Sequence, residues 1–275
     1  MVSEVIYNNQ NIRKAFNFNK IMESNMRTPL VMGNWKLNGT KESVSTLIKG
    51  IESAADAATN VEVAVCPPAI FIEQVANLTT NNSIEFGAQD VSTNVAGAFT
   101  GETSPVMVKE FGVKYSLVGH SERRQYHNET DAVVAAKFVA IQENGLVPVL
   151  CIGETLEERE TNKTFSVVET QLKAVVEVAG IAALESAVIA YEPVWAIGTG
   201  KVATSEQAQE VHAHIRNWLK AQSEVVAEKV QILYGGSVKA NSAKELFAQA
   251  DIDGGLVGGA ALIIEEFVGI IEGAK

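Results

Sequence analysis

Eight short apolar runs recur along this chain, and their spacing constrains the fold more than any other feature. They are Leu30–Trp35, Val61–Cys66, Ile84–Gly87, Tyr115–Gly119, Val147–Ile152, Ala187–Tyr191, Val230–Tyr234 and Gly255–Val257. Each is continuous rather than alternating, as expected of strands buried on both faces. Longer stretches with helical spacing lie between them, such as Val44–Ala57, Ala132–Glu143 and Ala208–Leu219. In the last of these, His212, Ile215 and Leu219 follow an i, i+3, i+7 line. Strict alternation of strand and helix demands a parallel sheet. Eight such units in about 250 residues fit a closed (β/α)8 barrel, with an open doubly wound sheet as the alternative. No linker rich in Pro, Gly and Ser divides the chain, so residues 26–275 read as one barrel domain.

The segment before that domain has a different character. Residues 1–25 contain six Asn and show no sustained period of 2 or 3.6. They lack the apolar stretch of roughly 7 to 15 residues that a secretory signal needs. A single Arg against two Glu does not suit a mitochondrial transit peptide. The segment reads as a dispensable, disordered extension with translation beginning at Met26; a short amphipathic targeting arm around Ile12–Phe18 is the other reading.

Charge and cysteine content narrow the functional classes. Lys and Arg number 22 against 33 Asp and Glu, a net charge of −11, which disfavours nucleic-acid binding because that takes clustered basic charge. No run approaches the ~18 consecutive apolar residues of a membrane helix, so no membrane partner is expected. Two cysteines, Cys66 and Cys151, suit a reducing cytoplasm and are read as structural. No His, Cys and acid cluster has zinc or iron spacing, and no glycine fingerprint follows the first strand, so neither a metal nor a nicotinamide cofactor is expected.

In a parallel barrel, chemistry collects at the C-terminal ends of the strands. There the sequence places Asn34 and Lys36 after the first strand, His120-Ser121-Glu122 after the fourth and Glu192 after the sixth. The seventh ends in Gly235-Gly236-Ser237 and the eighth in Gly258-Gly259. Glycine turns let backbone N–H groups approach an anion closely, and loops seven and eight commonly hold phosphate in barrels. Glu192 is then a candidate general base, with His120 and Lys36 as candidates to polarise a carbonyl. Together these suggest proton abstraction beside a carbonyl on a small phosphorylated sugar.

Five stretches carry a resemblance to a known family. Gly33-Asn34-Trp35-Lys36-Leu37-Asn38-Gly39, Gly119-His120-Ser121-Glu122-Arg123-Arg124 and Tyr191 through Gly200 closely resemble three signatures of bacterial-type triosephosphate isomerases. Tyr234-Gly235-Gly236-Ser237-Val238 and Gly254 through Gly259 resemble the last two. The resemblance runs in order from Met26 nearly to the C-terminus. It implies interconversion of dihydroxyacetone phosphate and glyceraldehyde 3-phosphate through an enediol(ate), in glycolysis and gluconeogenesis. Glu192 would be the base and neutral His120 the electrophile, its pKa expected low because Ser121 starts a helix. Lys36 would neutralise charge, Asn34 would orient substrate, and Glu122 would pair with Lys36. Backbone N–H groups of Gly198, Ser237, Gly258 and Gly259 would hold the phosphate.

The resemblance also implies a lid over Ala196–Gly200, latched by the Tyr234 hydroxyl, that shields the intermediate from water. The aperiodic stretch from Gln89 to Pro105 exceeds the ~12 to 15 residues of a plain connection. It resembles the family's subunit-contact loop, which implies a homodimer through the region of Phe99-Thr100. One departure is Ala261, where many relatives carry Ser. On the residues alone two rivals stay open: a different phosphate-binding barrel enzyme, such as a Schiff-base aldolase using Lys36, and a non-catalytic scaffold.

Overall fold

The computed structural model describes residues 27–79, 83–197 and 203–275. The extension 1–25, Gly198 and the centre of the expected lid lie outside the described residues.

All eight predicted strands are present: β1 (Leu30–Asn34), β2 (Glu62–Cys66), β3 (Glu85–Ala88), β4 (Tyr115–Val118), β5 (Val147–Ile152), β6 (Val188–Tyr191), β7 (Gln231–Tyr234) and β8 (Gly254–Val257). They pair in parallel in chain order, and β8 closes onto β1 with Leu30 opposite Gly254. The fold is a closed (β/α)8 barrel, and the open-sheet alternative falls.

The continuity of the apolar runs follows from that closure. Inward-pointing Leu30, Met32, Ala64, Leu117, Val149, Ala190 and Leu233 fill the barrel interior. Their neighbours Val31, Val63, Val65, Val118, Leu150 and Ile189 face the helices. Every second residue is therefore buried on each side, and no polar alternation survives.

The helices are α1 (Lys41–Asp56), α2 (Ile72–Leu78), α3 (Pro105–Glu110), α4 (Ser121–His127), α5 (Asp131–Glu143), α6 (Leu156–Glu160), α7 (Thr164–Ala179), α8 (Ser205–Gln222), α9 (Glu224–Lys229), α10 (Ala240–Phe247) and α11 (Ile264–Gly273). Their starts are chemically marked. Thr40 and Thr204 each accept the N–H three residues on, while Ser43 and Gln207 accept the cap N–H in return. Such a cap contributes about 0.5–2 kcal/mol. Val44, Leu47, Ile48 and Ile51 then bury one stripe of α1 against the barrel. Units four, five and six carry two helices each, where the sequence reading expected one.

Candidate active site

The C-terminal rim gathers the predicted side chains from β1, β4 and β6. Asn34, the last residue of β1, is buried, and its Oδ1 accepts the Lys36 N–H at 3.0 Å. That bond folds the chain back within two residues and leaves Lys36 in the left-handed region, with φ 51°. The strained turn points the ammonium at Glu122, which pairs with it as the sequence reading expected.

His120 caps α4. Its Nδ1 accepts the Glu122 N–H at 3.2 Å, so the ring proton of the neutral form resides on Nε2. That nitrogen lies 2.9 Å from Glu192 Oε1, and the other Glu192 oxygen accepts the Ser121 N–H at 2.9 Å. Both side chains are buried. Burial opposes a charge on His120, but the Glu192 carboxylate outweighs it and lifts the imidazole above its ordinary value. Burial of Glu192 is likewise outweighed, by His120, Ser121 and Lys36, and its carboxyl sits below the ordinary range. This corrects the expectation of a lowered imidazole, which considered the helix end and not the carboxylate docked on the ring.

Beneath the pair, Cys151 lies inside β5 as a buried thiol, held well above its ordinary value by burial and by the Glu192 charge. Burial also pushes the Cys66 thiol up to about 12. Both fit the structural role assigned from sequence.

Two strand ends that the sequence reading passed over complete the frame. After β3, Gln89 Nε2 donates to Lys36 O at 2.8 Å and to Cys66 O at 2.9 Å, fixing the strained turn from outside. Its neighbour Asp90 meets Lys137 at 2.7 Å and Arg123 at 3.0 Å, and both cations reach Glu129 at 2.7 Å. That network ties α4, and with it Ser121 and Glu122, to the base of the 89–105 loop.

After β5, Glu154 is fully buried. It accepts the Trp195 indole N–H at 2.9 Å, the Tyr191 hydroxyl at 3.0 Å and an Arg159 N–H at 3.2 Å. The near end of the expected lid is thus anchored by one carboxylate. Tyr234 is buried beside it, its phenol pushed up to about 12 by burial and opposed by the Ala203 backbone N–H.

A cavity of about 530 Å³ opens between these groups. Asn34, Lys36, His120 and Glu192 line it together with Gly235, Ser237, Gly258 and Gly259. The Ser237 hydroxyl donates to Ala196 O at 3.0 Å. Gly259 opens a 3-10 turn, Gly259–Leu262, in which Ala261 is fully buried against the backbone of β1 at Gly33. The Ser-to-Ala departure therefore sits in packed surroundings. Of the predicted substrate contacts, only Gly198 falls outside the described residues.

Comparison with known proteins addresses the same stretch of chain. The sequence profile of triosephosphate isomerase matches residues 29–274. The chain belongs to the triosephosphate isomerase family. A triosephosphate isomerase of Psychromonas ingrahamii is 88% identical over 250 residues, covering 91% of this chain and all of that relative. One from Vibrio sp. is 64% identical over the same coverage. That of Moritella marina is 53% identical over 90% of this chain and 98% of its own length. Membership makes the chain an isomerase, and it disposes of the aldolase and scaffold alternatives.

Proposed function

We propose that the protein interconverts dihydroxyacetone phosphate and D-glyceraldehyde 3-phosphate through an enediol(ate), with Glu192 as base. The observation that carries this reading is the buried Glu192–His120 pair lining the same cavity as Lys36 and the glycine turns after β7 and β8. Glu192 takes a proton from the carbon beside the carbonyl. The C–H electron pair becomes the carbon–carbon double bond, and the carbonyl π pair moves to oxygen. His120 Nε2–H and the Lys36 ammonium stabilise that oxygen, and Glu192 returns the proton to the adjacent carbon. Asn34 serves by orienting Lys36 and the substrate, and Ser237, Gly258, Gly259 and Gly198 supply N–H groups to the phosphate.

For this chemistry Glu192 must leave His120 and turn to the substrate. The influence that lifts the imidazole then departs with it. Burial, Lys36 and the Glu122 N–H on Nδ1 remain to keep the ring neutral, against a Glu122 carboxylate already paired with Lys36. A neutral donor matches the developing enediolate better than an imidazolium, which would surrender its proton outright.

The reading extends to a lid over residues 196–200, hinged where Glu154 holds Trp195 and latched by Tyr234. It includes a homodimer through Phe99-Thr100, supported by apolar side chains left uncovered around that loop. Leu37 is 96% and Ile70 83% exposed, and Met107 in α3 and Phe111 just after it are exposed as well. A cytoplasmic location accords with two free thiols. No helix among the described residues is long and apolar enough to cross a membrane. Residues 26–275 form the catalytic domain in this account.

A coupled assay on residues 1–275 and 26–275 tests the proposal. Equal conversion of glyceraldehyde 3-phosphate by both is expected. Activity in neither overturns the function, and activity only in the longer chain overturns the domain assignment.

A further inference from the structure

The cavity carries two charges beside its glycine turns that those turns do not account for. Lys239, two residues after Ser237, and Glu266 of α11 both line it. Glu266 Oε2 accepts the Ala240 backbone N–H at 2.9 Å, so a carboxylate already occupies the first turn of α10. The cavity's other ammonium, Lys36, is balanced by Glu122. Lys239 is exposed and has no ion pair among the described residues. Against it stand two carboxylates of the same cavity, Glu192 and Glu266. The chain as a whole carries −11, so a doubly charged anion approaches against the long-range field.

We propose that Lys239 and Glu266 are opposed charges that set the protein's affinity for the substrate phosphate, Lys239 drawing it in and Glu266 pushing it out. This rests on the reading of the cavity as a triose phosphate site. Lys239 is the cavity cation without an ion pair among the described residues, and its worth is local attraction rather than a fixed hydrogen bond. Glu266 weakens phosphate capture as the cost of capping α10. A glutamine there keeps an acceptor for the Ala240 N–H and removes only the charge.

The test compares Lys239→Gln, Glu266→Gln and a control, Lys49→Gln, which makes the same charge change on the exposed face of α1. Binding of inorganic phosphate is followed by phosphorus NMR titration, and kcat/KM by the coupled assay. Both are measured at ionic strengths of about 20 mM and about 300 mM, which shorten the screening length from about 20 Å to about 6 Å. At low salt Lys239→Gln should weaken phosphate binding and lower kcat/KM about three- to tenfold, with the loss in KM. Glu266→Gln should shift both the opposite way by a similar factor, and high salt should bring all variants together. Equal effects of Lys49→Gln, a Glu266→Gln shift in the same direction as Lys239→Gln, or insensitivity to salt would overturn the proposal. The titration needs no turnover, so the two readings fail separately. A wild-type protein that binds phosphate but does not isomerise sinks the functional reading, whereas an active one with unmoved variants sinks this one.

Discussion

Replacing Gln89 with leucine removes the support of the Lys36 turn while leaving Lys36 itself in place. The carboxamide donates to Lys36 O and Cys66 O at 2.8 and 2.9 Å. Lys36 is held at φ 51°, a conformation that costs a residue with a side chain roughly 1–2 kcal/mol. Two hydrogen bonds contribute about 1–3 kcal/mol net, enough to offset that strain and little more. Without them the turn is free to relax to negative φ, and two carbonyls lose their partner. A stability loss of about 2 kcal/mol is expected, or a fall of about 4–8 °C in Tm for a domain of this size. Relaxation carries the ammonium away from Glu122, and a displacement of about 1 Å at a reacting centre costs on the order of a hundredfold in rate. We therefore expect kcat/KM to fall about ten- to hundredfold, measured by the coupled assay beside thermal unfolding. A variant that melts lower but keeps kcat/KM within about twofold of wild type would refute the link from Gln89 to Lys36 geometry.

Further outcomes follow from the same contacts. Gly153 packs against the Glu192 carbonyl so closely that a Cβ would overlap backbone, so Gly153→Ala should lower Tm by far more than a surface glycine substitution such as Gly180→Ala. His212 is fully buried, with Nδ1 3.2 Å from Asp251 O and Nε2 unpartnered, and burial lowers its pKa to about 3. Its folded value lies below the ordinary 6.5, so the unfolded chain binds the extra proton and stability falls as pH drops below 6.5. The loss through this residue reaches about 2 kcal/mol at pH 5. The stability gap between wild type and His212→Gln in denaturant should narrow by about that amount from pH 7 to pH 5, and a constant gap would rule the histidine out. Tyr234→Phe should raise the fraction of turnovers that lose phosphate to methylglyoxal, and an unchanged ratio would count against the latch.

Sequence reasoning located the barrel because double-sided burial leaves a plain signature, an unbroken apolar run with polar residues at its exit. The same rule led to Asn34, Lys36, His120, Glu192 and Ser237. Applied to β3 and β5 it would also have reached Gln89, Asp90 and Glu154, which stand at those exits just as visibly. They were missed because their work is indirect. Gln89 acts through a backbone carbonyl and Glu154 through an indole, and neither partner is a neighbour in sequence. The imidazole misjudged from sequence failed for a related reason. Whether His120 sits above or below its ordinary value turns on Glu192, 72 positions away along the chain, at 2.9 Å. Helix ends are local and legible; through-space charge is not. Lys239 and Glu266 belong to the same class, since α10 and α11 bring them together only in the closed barrel.

Proton transfer by Glu192 is the centre of this account. Turnover in deuterium oxide, followed by proton NMR on wild type and Glu192→Gln, addresses it directly. Wild type should convert glyceraldehyde 3-phosphate to dihydroxyacetone phosphate carrying deuterium at the carbon that receives the proton. Glu192→Gln should slow conversion and deuterium incorporation together by about 10² to 10⁴, with little change in KM. A variant that still exchanges deuterium at the wild-type rate would show that another group moves the proton.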